Sequence, residues 1–584
     1  MIPATVLAVY VVLAVLLCIN AWRAPATTYV GQGPDPIQQM WGIGWVPYAI
    51  SHGLDPLYTH FLNQPTGTDI LWSTPTALVV TLLWPVTALF GTTVTYDLVI
   101  TLSLALASFF AFLVIRRWVP GGVVAAAVGG LLYGFSPYMT GQLIGHYNLV
   151  LAGVTPPLAL MLADEILVRQ RLRPRTLGLL AALLAVIQFF IAQELLLTES
   201  IAAVILAVVL AISHRDVVRA HIAFVARSIG WAVAPAAVLL AFPTWLQLFG
   251  GDHVVTAGAL HGTDVYVTDP TNFIVPTVAQ LISPQVATNI SSHFSGNASE
   301  WDAYLGIPLI LLLVLATVRF WRMPAIRTAG LLALIIAVLS LGPHINVQKH
   351  ALLVLPLPWW IPAHLPVLDD ILPNRLMVYV DLAAAIIVAF TLRLLWVLRR
   401  SPLLNLLVAV VVLLPLAPTA PAPATNITTP AAFASPVPGP IAPDATVLFE
   451  PFPGSDYSHA MGWQVSSRFA FRLIGGYIIG PYAPGVEALQ KLIHSMAAAG
   501  PSVTVTGNVR SEILDRLLFL GVDDVVVGSD ASPGTASLFA GVFSAPPTAD
   551  DGFLVWQVGD PGLTTRLRSV TSGPPRGFAP ILSR

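Results

Sequence analysis

The chain alternates long apolar runs with short clusters of arginine, and that alternation leaves little choice of fold. A helix needs about 20 apolar residues to cross a bilayer, because each residue rises about 1.5 Å through roughly 30 Å of hydrocarbon. Runs of this kind cover residues 3–20, 94–115, 121–139, 148–164, 176–196, 200–213, 226–246, 304–318, 328–342, 375–392 and 402–417. They predict a polytopic α-helical membrane protein of about 11 transmembrane helices. Composition agrees: 56% of the residues are hydrophobic and only 10% are charged, against about 25% charged in ordinary soluble domains.

The arginines orient these spans, since short cytoplasmic loops carry an excess of positive charge. Arg116 and Arg117 mark one such loop, and Arg169, Arg171, Arg173 and Arg175 a second. Arg215 and Arg219, then Arg319, Arg322 and Arg327, then Arg393, Arg399 and Arg400 mark three more. Alternation puts the amino terminus inside, and residues 21–93, 247–303, 343–374 and 418–584 outside. PTALVVTLLWPVTALF at 75–90 is apolar enough to suggest another span, but admitting it would reverse an arginine loop. It is therefore expected to lie along the outer membrane surface or to dip in and out.

The amino-terminal run lacks a basic flank and a small-residue cleavage site, so it is expected to be retained as the first helix. No basic tract or nucleic-acid motif is present, which excludes a nucleic-acid partner. Cys18 is the only cysteine, so neither an internal disulfide nor a cysteine metal cluster can form. Past the spans, residues 418–440 are mostly Pro, Ala and Thr and predict an extended linker. Beyond it, 445–452, 502–507, 523–529 and 552–559 look like strands, while 485–500 and 511–521 have helical apolar faces. That order predicts a small extracytoplasmic α/β domain over 441–584, following a membrane domain over 1–417. It has no phosphate-binding glycine loop.

Three stretches carry a family resemblance. They are GPDPIQQMWGIGWVPYAISHGLDPLYTHFLNQPTGTDILWSTPTA at 33–77, GFSPYMTGQLIGHYNLVLAGVTPPLALML at 134–162 and TDPTNFIVPT at 268–277. With Leu372–Pro373–Asn374–Arg375 and LGVDDVVV at 520–527, they resemble bacterial, especially actinobacterial, integral-membrane glycosyltransferases of the GT-C superfamily. The resemblance implies an acidic catalytic residue in the first external loop, shortly after the first helix. It also implies a polyprenyl-phosphate-linked sugar donor used on the outer face of the plasma membrane. The chain departs from the better-known members in lacking an adjacent Asp-Glu pair in that loop, and Asp369–Asp370 lies too far downstream to replace one.

Within that frame Asp35 is the expected catalytic base, a carboxylate that takes the acceptor's proton as the glycosidic bond forms. The rival reading is a helix cap, since Asp35 precedes Pro36 at the head of a helical stretch. Arg375 is the expected clamp on the donor phosphate, because a guanidinium can grip phosphate through two parallel bonds; its rival is an ion pair with Asp369 or Asp370. His146 and Asn148 form a polar turn suited to a sugar or a lipid phosphate. Trp41 and Trp45 are candidates to stack on a sugar face. His52, Asp55 and Asp69 in the first loop, and Asp264 and Asp269 in a later one, are candidate substrate contacts, each with a structural rival. Glu194 and Glu199 read equally well as structural or functional.

No His, Asp or Glu spacing matches a metal motif, so no obligatory metal is expected, with a divalent cation left open. The expected function is transfer of a sugar, with inversion, from polyprenyl phosphate to an envelope glycan, lipid or protein. The competing readings are a transporter or flippase of envelope lipids, drawing on Asp381 inside a span, and a noncatalytic envelope-assembly protein.

Overall fold

The computed structural model describes residues 2–213, 215–250, 260–353, 355–436, 439 and 441–558. It divides into two compact units. The first comprises Met1–Pro36, Thr74–Leu248 and Val254–Ile427; the second comprises Ile37–Ser73, Phe249–His253 and Thr428–Arg584.

The first unit is helical, and the protein is a multi-pass membrane protein. Among the described residues, six helices are long and apolar enough to cross a membrane: Trp84–Trp118, Val123–Ile144, Tyr147–Arg169, Gln193–Ser213, Arg219–Phe249 and Pro373–Arg399. The other five apolar runs also form helices, Ile2–Leu17, Pro174–Phe189, Ile307–Arg319, Pro324–Ser340 and Pro402–Leu416. These are shorter, reaching about 20–26 Å against a hydrocarbon layer of about 30 Å. The 75–90 stretch breaks into two short pieces. Ala77–Leu82 is one helix, and Trp84–Phe90 is cut from the long helix that follows by Gly91 at φ 86°. Neither piece, at about 10 Å, can cross alone.

The second unit is built on a five-stranded sheet. Strand Thr446–Glu450 pairs in parallel with Arg472–Leu473 on one side and Asp524–Val527 on the other. Phe553–Gln557 adds antiparallel to Asp524–Val527, and Thr548–Asp550 forms the far edge. Helices Val486–Ala497, Gly507–Phe519 and Pro533–Phe543 bury Leu489, Ile493, Leu514, Leu517, Leu538 and Phe539 together with Val525 and Trp556. Leu489 and Ile493, and Leu514 and Leu517, have the three-to-four spacing of a helix with one face in a core. One sequence expectation is corrected: 502–507 is not a strand. It leads into helix Gly507–Phe519, where the Thr506 hydroxyl accepts from the Val509 N–H, an N-cap that ends extended chain.

Residues 37–73, from the loop after the first helix, belong to this second unit, and the hydrogen bonds show why. Gln64 N–H donates to the Leu473 carbonyl at 3.0 Å, Leu473 N–H donates to Phe61 at 3.0 Å, and Asn63 N–H donates to Gly475 at 2.9 Å. Residues 61–64 thus cover the open edge of the sheet, whose unpaired groups would otherwise invite another chain. Two segments of the Pro/Ala/Thr-rich stretch are held in place by the units they belong to. In the first unit Ala424–Asn426 pairs antiparallel with Thr28–Val30. In the second, Phe433 is fully buried among Phe449, Trp463, Phe471 and Phe553.

Candidate functional site

Asp35 is held in place by a short relay of backbone contacts. Strand Thr28–Val30 is fixed by the Asp97 carboxylate, which accepts from the Val30 N–H at 2.9 Å. Gly31 follows at φ 105°, and a side chain there would lie 2.6 Å from the Ile144 carbonyl oxygen, so the turn requires glycine. The next N–H, of Gln32, donates to that same carbonyl at 2.7 Å. Asp35 then opens helix Asp35–Ser51, its side chain against Gly145 and 29% exposed.

Facing it is His146, whose Nε2 lies 3.9 Å from Asp35 Oδ1. His146 Nδ1 lies 2.7 Å from Gln142 Oε1 and 3.6 Å from Glu300 Oε1, so the ring stands between two carboxylates. Behind it is a buried ionic cluster. Arg375 donates from Nε to both oxygens of Glu300, at 3.2 and 3.3 Å, and from Nη2 to Glu300 Oε1. Its Nη1 donates to Glu194, whose other oxygen accepts from the Leu372 N–H at 2.8 Å. Asn374 adds a bond from Nδ2 to Glu300 Oε2 at 2.8 Å. Burial would raise the Glu300 carboxyl, but the charges of Arg375 and His146 and the bonds from Arg375 and Asn374 outweigh it and hold it well below the usual range. Its neighbour Asp302 makes no ion pair among the described residues. Burial, then the Glu300 charge, pushes that carboxyl well above its usual range and favours the protonated form. Gln142 joins the two by donating from Nε2 to Asp302 Oδ2 at 3.0 Å while its Oε1 faces His146.

The fold therefore brings Asp35, His146 and Arg375 into one cluster within the first unit. The role expected of Arg375 is not the one this geometry favours: both edges of its guanidinium are occupied by carboxylates, and those are Glu194 and Glu300 rather than Asp369 or Asp370. Sequence does not single out Glu300 and Asp302, because what marks them is proximity to Arg375 and Gln142 across 75 and 160 residues of chain, nor Gln142, which lies one helical turn before His146.

The remaining candidates go elsewhere. Trp41 and Trp45 are 2% and 1% exposed, stack on each other with ring centres 5.4 Å apart, and pack against Phe469. Trp41 Nε1 donates to Gln464 Oε1 at 2.6 Å. They are core residues of the second unit, because the loop that carries them folds onto the tail's apolar side chains. Asp69 is buried, and its Oδ1 accepts from the Leu71 N–H; Asp55 closes a similar exposed turn with the Leu57 N–H. His52 stacks on Tyr48 and has Nδ1 2.8 Å from the Tyr48 carbonyl. Asn148 is buried and donates to Thr74 Oγ1 at 2.8 Å. Asp264 faces His344 at 3.3 Å and accepts from Asn346. Asp269 caps the 3₁₀ turn Pro270–Phe273 and accepts from the Gln348 N–H at 2.7 Å. Asp381 is 1% exposed, with Ser136 and the Tyr138 N–H bonded to it. Among the described residues, no three His, Cys, Asp or Glu side chains are grouped to hold a metal ion.

Between helices Tyr147–Arg169, Gln193–Ser213, Pro324–Ser340 and Met377–Arg399 runs an apolar cavity of about 530 Å³, lined by residues such as Leu160, Leu206, Leu332 and Ile386. Glu199 and Tyr379 lie on its wall. Glu199 is five residues, or about 7.5 Å of helix, from the Glu194 that holds Arg375.

A family described as a domain of unknown function (DUF6311) matches residues 6–417. The chain belongs to the DUF6311 family. No curated protein matches the DUF6311 chain by sequence. Among solved structures it is similar to an archaeal oligosaccharyltransferase, AglB, from Archaeoglobus fulgidus in complex with an inhibitory peptide and a dolichol-phosphate. That likeness has a TM-score of 0.45 at 12% identity over 95% of this chain and 74% of that one. An apo form of the Archaeoglobus fulgidus oligosaccharyltransferase gives 0.41 at 14% identity, over 90% and 69%. Arabinofuranosyltransferase AftD from Mycobacteria gives 0.46 at 16% identity; the DUF6311 chain aligns over 95% of its own length and 41% of that protein. Scores this low are too weak to assign an activity.

Proposed function

We propose that the protein transfers a sugar from a polyprenyl-phosphate donor to an envelope glycan, lipid or protein on the extracytoplasmic side of a bacterial plasma membrane. The observation that carries this reading is the pairing of Asp35 with His146: a part-exposed carboxylate at the head of a helix, against a histidine backed by a buried ion cluster. The GT-C resemblance of the first-loop sequence supports the same residue.

In the proposed reaction the acceptor O–H gives its proton to Asp35 as its oxygen attacks the anomeric carbon. The carbon–oxygen bond to phosphate breaks, and polyprenyl phosphate leaves with the electron pair. One base suffices because phosphate is already a good leaving group, and attack opposite it inverts the anomeric centre. His146, its ring fixed by Gln142 and Glu300, flanks the Asp35 carboxylate at 3.9 Å. Arg375 acts at one remove, as the residue that holds Glu300. The apolar cavity offers room for an isoprenoid tail, with its Glu199 wall next to the helix end that carries the cluster. No step is routed through a cation.

The test is reconstitution of the full chain in lipid vesicles with polyprenyl phosphates carrying radiolabelled arabinose, mannose, glucose or galactose. Transfer from one of them by the wild type, and its loss in Asp35→Asn, is the expected result. Equal transfer by both proteins removes Asp35 from the role, and no transfer from any donor overturns the reading.

A further inference from the structure

The second unit contains a reversal of strand order that the chemistry at Asp35 does not use. Strand Thr446–Glu450 is central, and the chain leaves it first to Arg472–Leu473 on one side and then returns to Asp524–Val527 on the other. In open α/β sheets such a reversal parts the loops at the carboxyl ends of the strands, and ligands bind there.

Three segments meet at that end: 451–459 after the central strand, 474–485 after its first neighbour and 528–534 after the second. The first packs on the second through Phe452 and Tyr482, with ring centres 5.5 Å apart, and through Gly454, where a side chain would touch the Tyr482 hydroxyl. It faces the third through Tyr457 and His459, whose rings lie 4.6 Å apart and both feel the Asp530 charge. Asn63 walls one side, accepting from the Ala483 N–H at 2.8 Å.

The side chains at this mouth select a ligand by charge. Asp456, Asp530, Ser455, Ser529 and His459 are exposed, Tyr457 and Tyr482 are half-buried, and none of the three segments contains a lysine or arginine. Carboxylates without a basic partner repel phosphates, nucleotides and acidic polymers. They do accept hydrogen bonds from hydroxyl groups, and an aromatic ring beside them offers a flat apolar face. Hydroxyls on an apolar ring are the chemistry of a neutral sugar.

We infer that the loops at the carboxyl ends of these three strands bind a neutral glycan, held by Asp456 and Asp530 with Tyr457 and Tyr482 as its apolar wall. This site is independent of the proposed transfer at Asp35, and its test does not require activity.

Full-length protein in nanodiscs is titrated with neutral arabinan, mannan, glucan and galactan oligosaccharides by calorimetry, with saturation-transfer NMR to locate bound protons. Spermine and polyphosphate serve as cationic and anionic probes. At least one neutral glycan is expected to bind. The double variant Asp456→Asn with Asp530→Asn is expected to weaken it by about tenfold or more, the scale of one bond to a charged group. Both residues are exposed, and unchanged circular dichroism checks that the variant folds. Asp35→Asn is expected to bind the glycan as the wild type does, so failure of the transfer reading leaves this one standing. Binding of no neutral glycan, binding indifferent to the double variant, or spermine binding lost in that variant would each overturn the inference.

Discussion

Arg375 holds Glu300 with its Nε and Nη2 while its Nη1 holds Glu194, so one guanidinium joins stretches of chain 75 and 181 residues away. Removing the arginine leaves two buried carboxylates facing each other, a change that costs about 3–5 kcal/mol in comparable sites. Arg375→Ala is therefore expected to lower stability by that amount in detergent unfolding experiments. Arg375→Lys should recover only part, because an ammonium lacks the planar fork that spans both partners. Neutralising the partners as well, with Glu194→Gln and Glu300→Gln, should recover more than either alone.

Trp45 tests whether the first loop is core or substrate surface. Buried as it is against Trp41, Phe61 and Phe469, Trp45→Ala is expected to cost about 3–5 kcal/mol. Limited proteolysis should then cut within 428–558 at protease levels the wild type resists. A change in sugar affinity with protease resistance intact would return Trp45 to the substrate.

Residues 428–558 expressed alone are expected not to unfold cooperatively. They lack the Phe61–Gln64 segment that covers the sheet edge and the Trp41 and Trp45 rings that fill the space beside Phe469. Joining residues 37–73 to that fragment through a flexible linker should restore a cooperative transition in circular dichroism.

Glu450 gives the tail a pH signature. Burial raises its carboxyl from 4.5 to about 7, against smaller opposing effects of bonds from Gln490 and the Phe452 N–H. A carboxyl with a raised folded value adds stability that is complete below the unfolded value and fades as pH climbs through the folded one. Between about pH 4.5 and 7 the tail should lose up to about 3 kcal/mol from this group. Glu450→Gln should flatten that slope, as read by unfolding midpoints at each pH.

The helices of the membrane architecture were legible in sequence because lipid imposes them one segment at a time: apolar length makes each helix. The 75–90 stretch, expected from the arginine loops to lie along the surface or to dip in and out, forms two short pieces parted at Leu83 and cut off at Gly91. Asp35 could be found as a lone carboxylate in a conspicuous loop. The residues that surround it could not. Glu300 and Asp302 sit in an ordinary-looking loop, and their meaning comes from Arg375 and Gln142, 75 and 160 residues away. Trp41 and Trp45 misled for a related reason. Two tryptophans one helical turn apart look the same whether they face a ligand or a core, and the core that claims them is supplied by Gln464 and Phe469. Residues 502–507 read as a strand by β-branched content, but a single hydroxyl at Thr506 turned the chain into a helix.

The contact between Phe61 and Gln464 spans 403 residues of chain. At a synthesis rate of about 5–20 residues per second, roughly 20–80 s pass between emergence of the first and the second. For that interval the two tryptophans and the Phe61–Gln64 segment have nothing to fold against, which makes this loop a natural client for a chaperone during biogenesis.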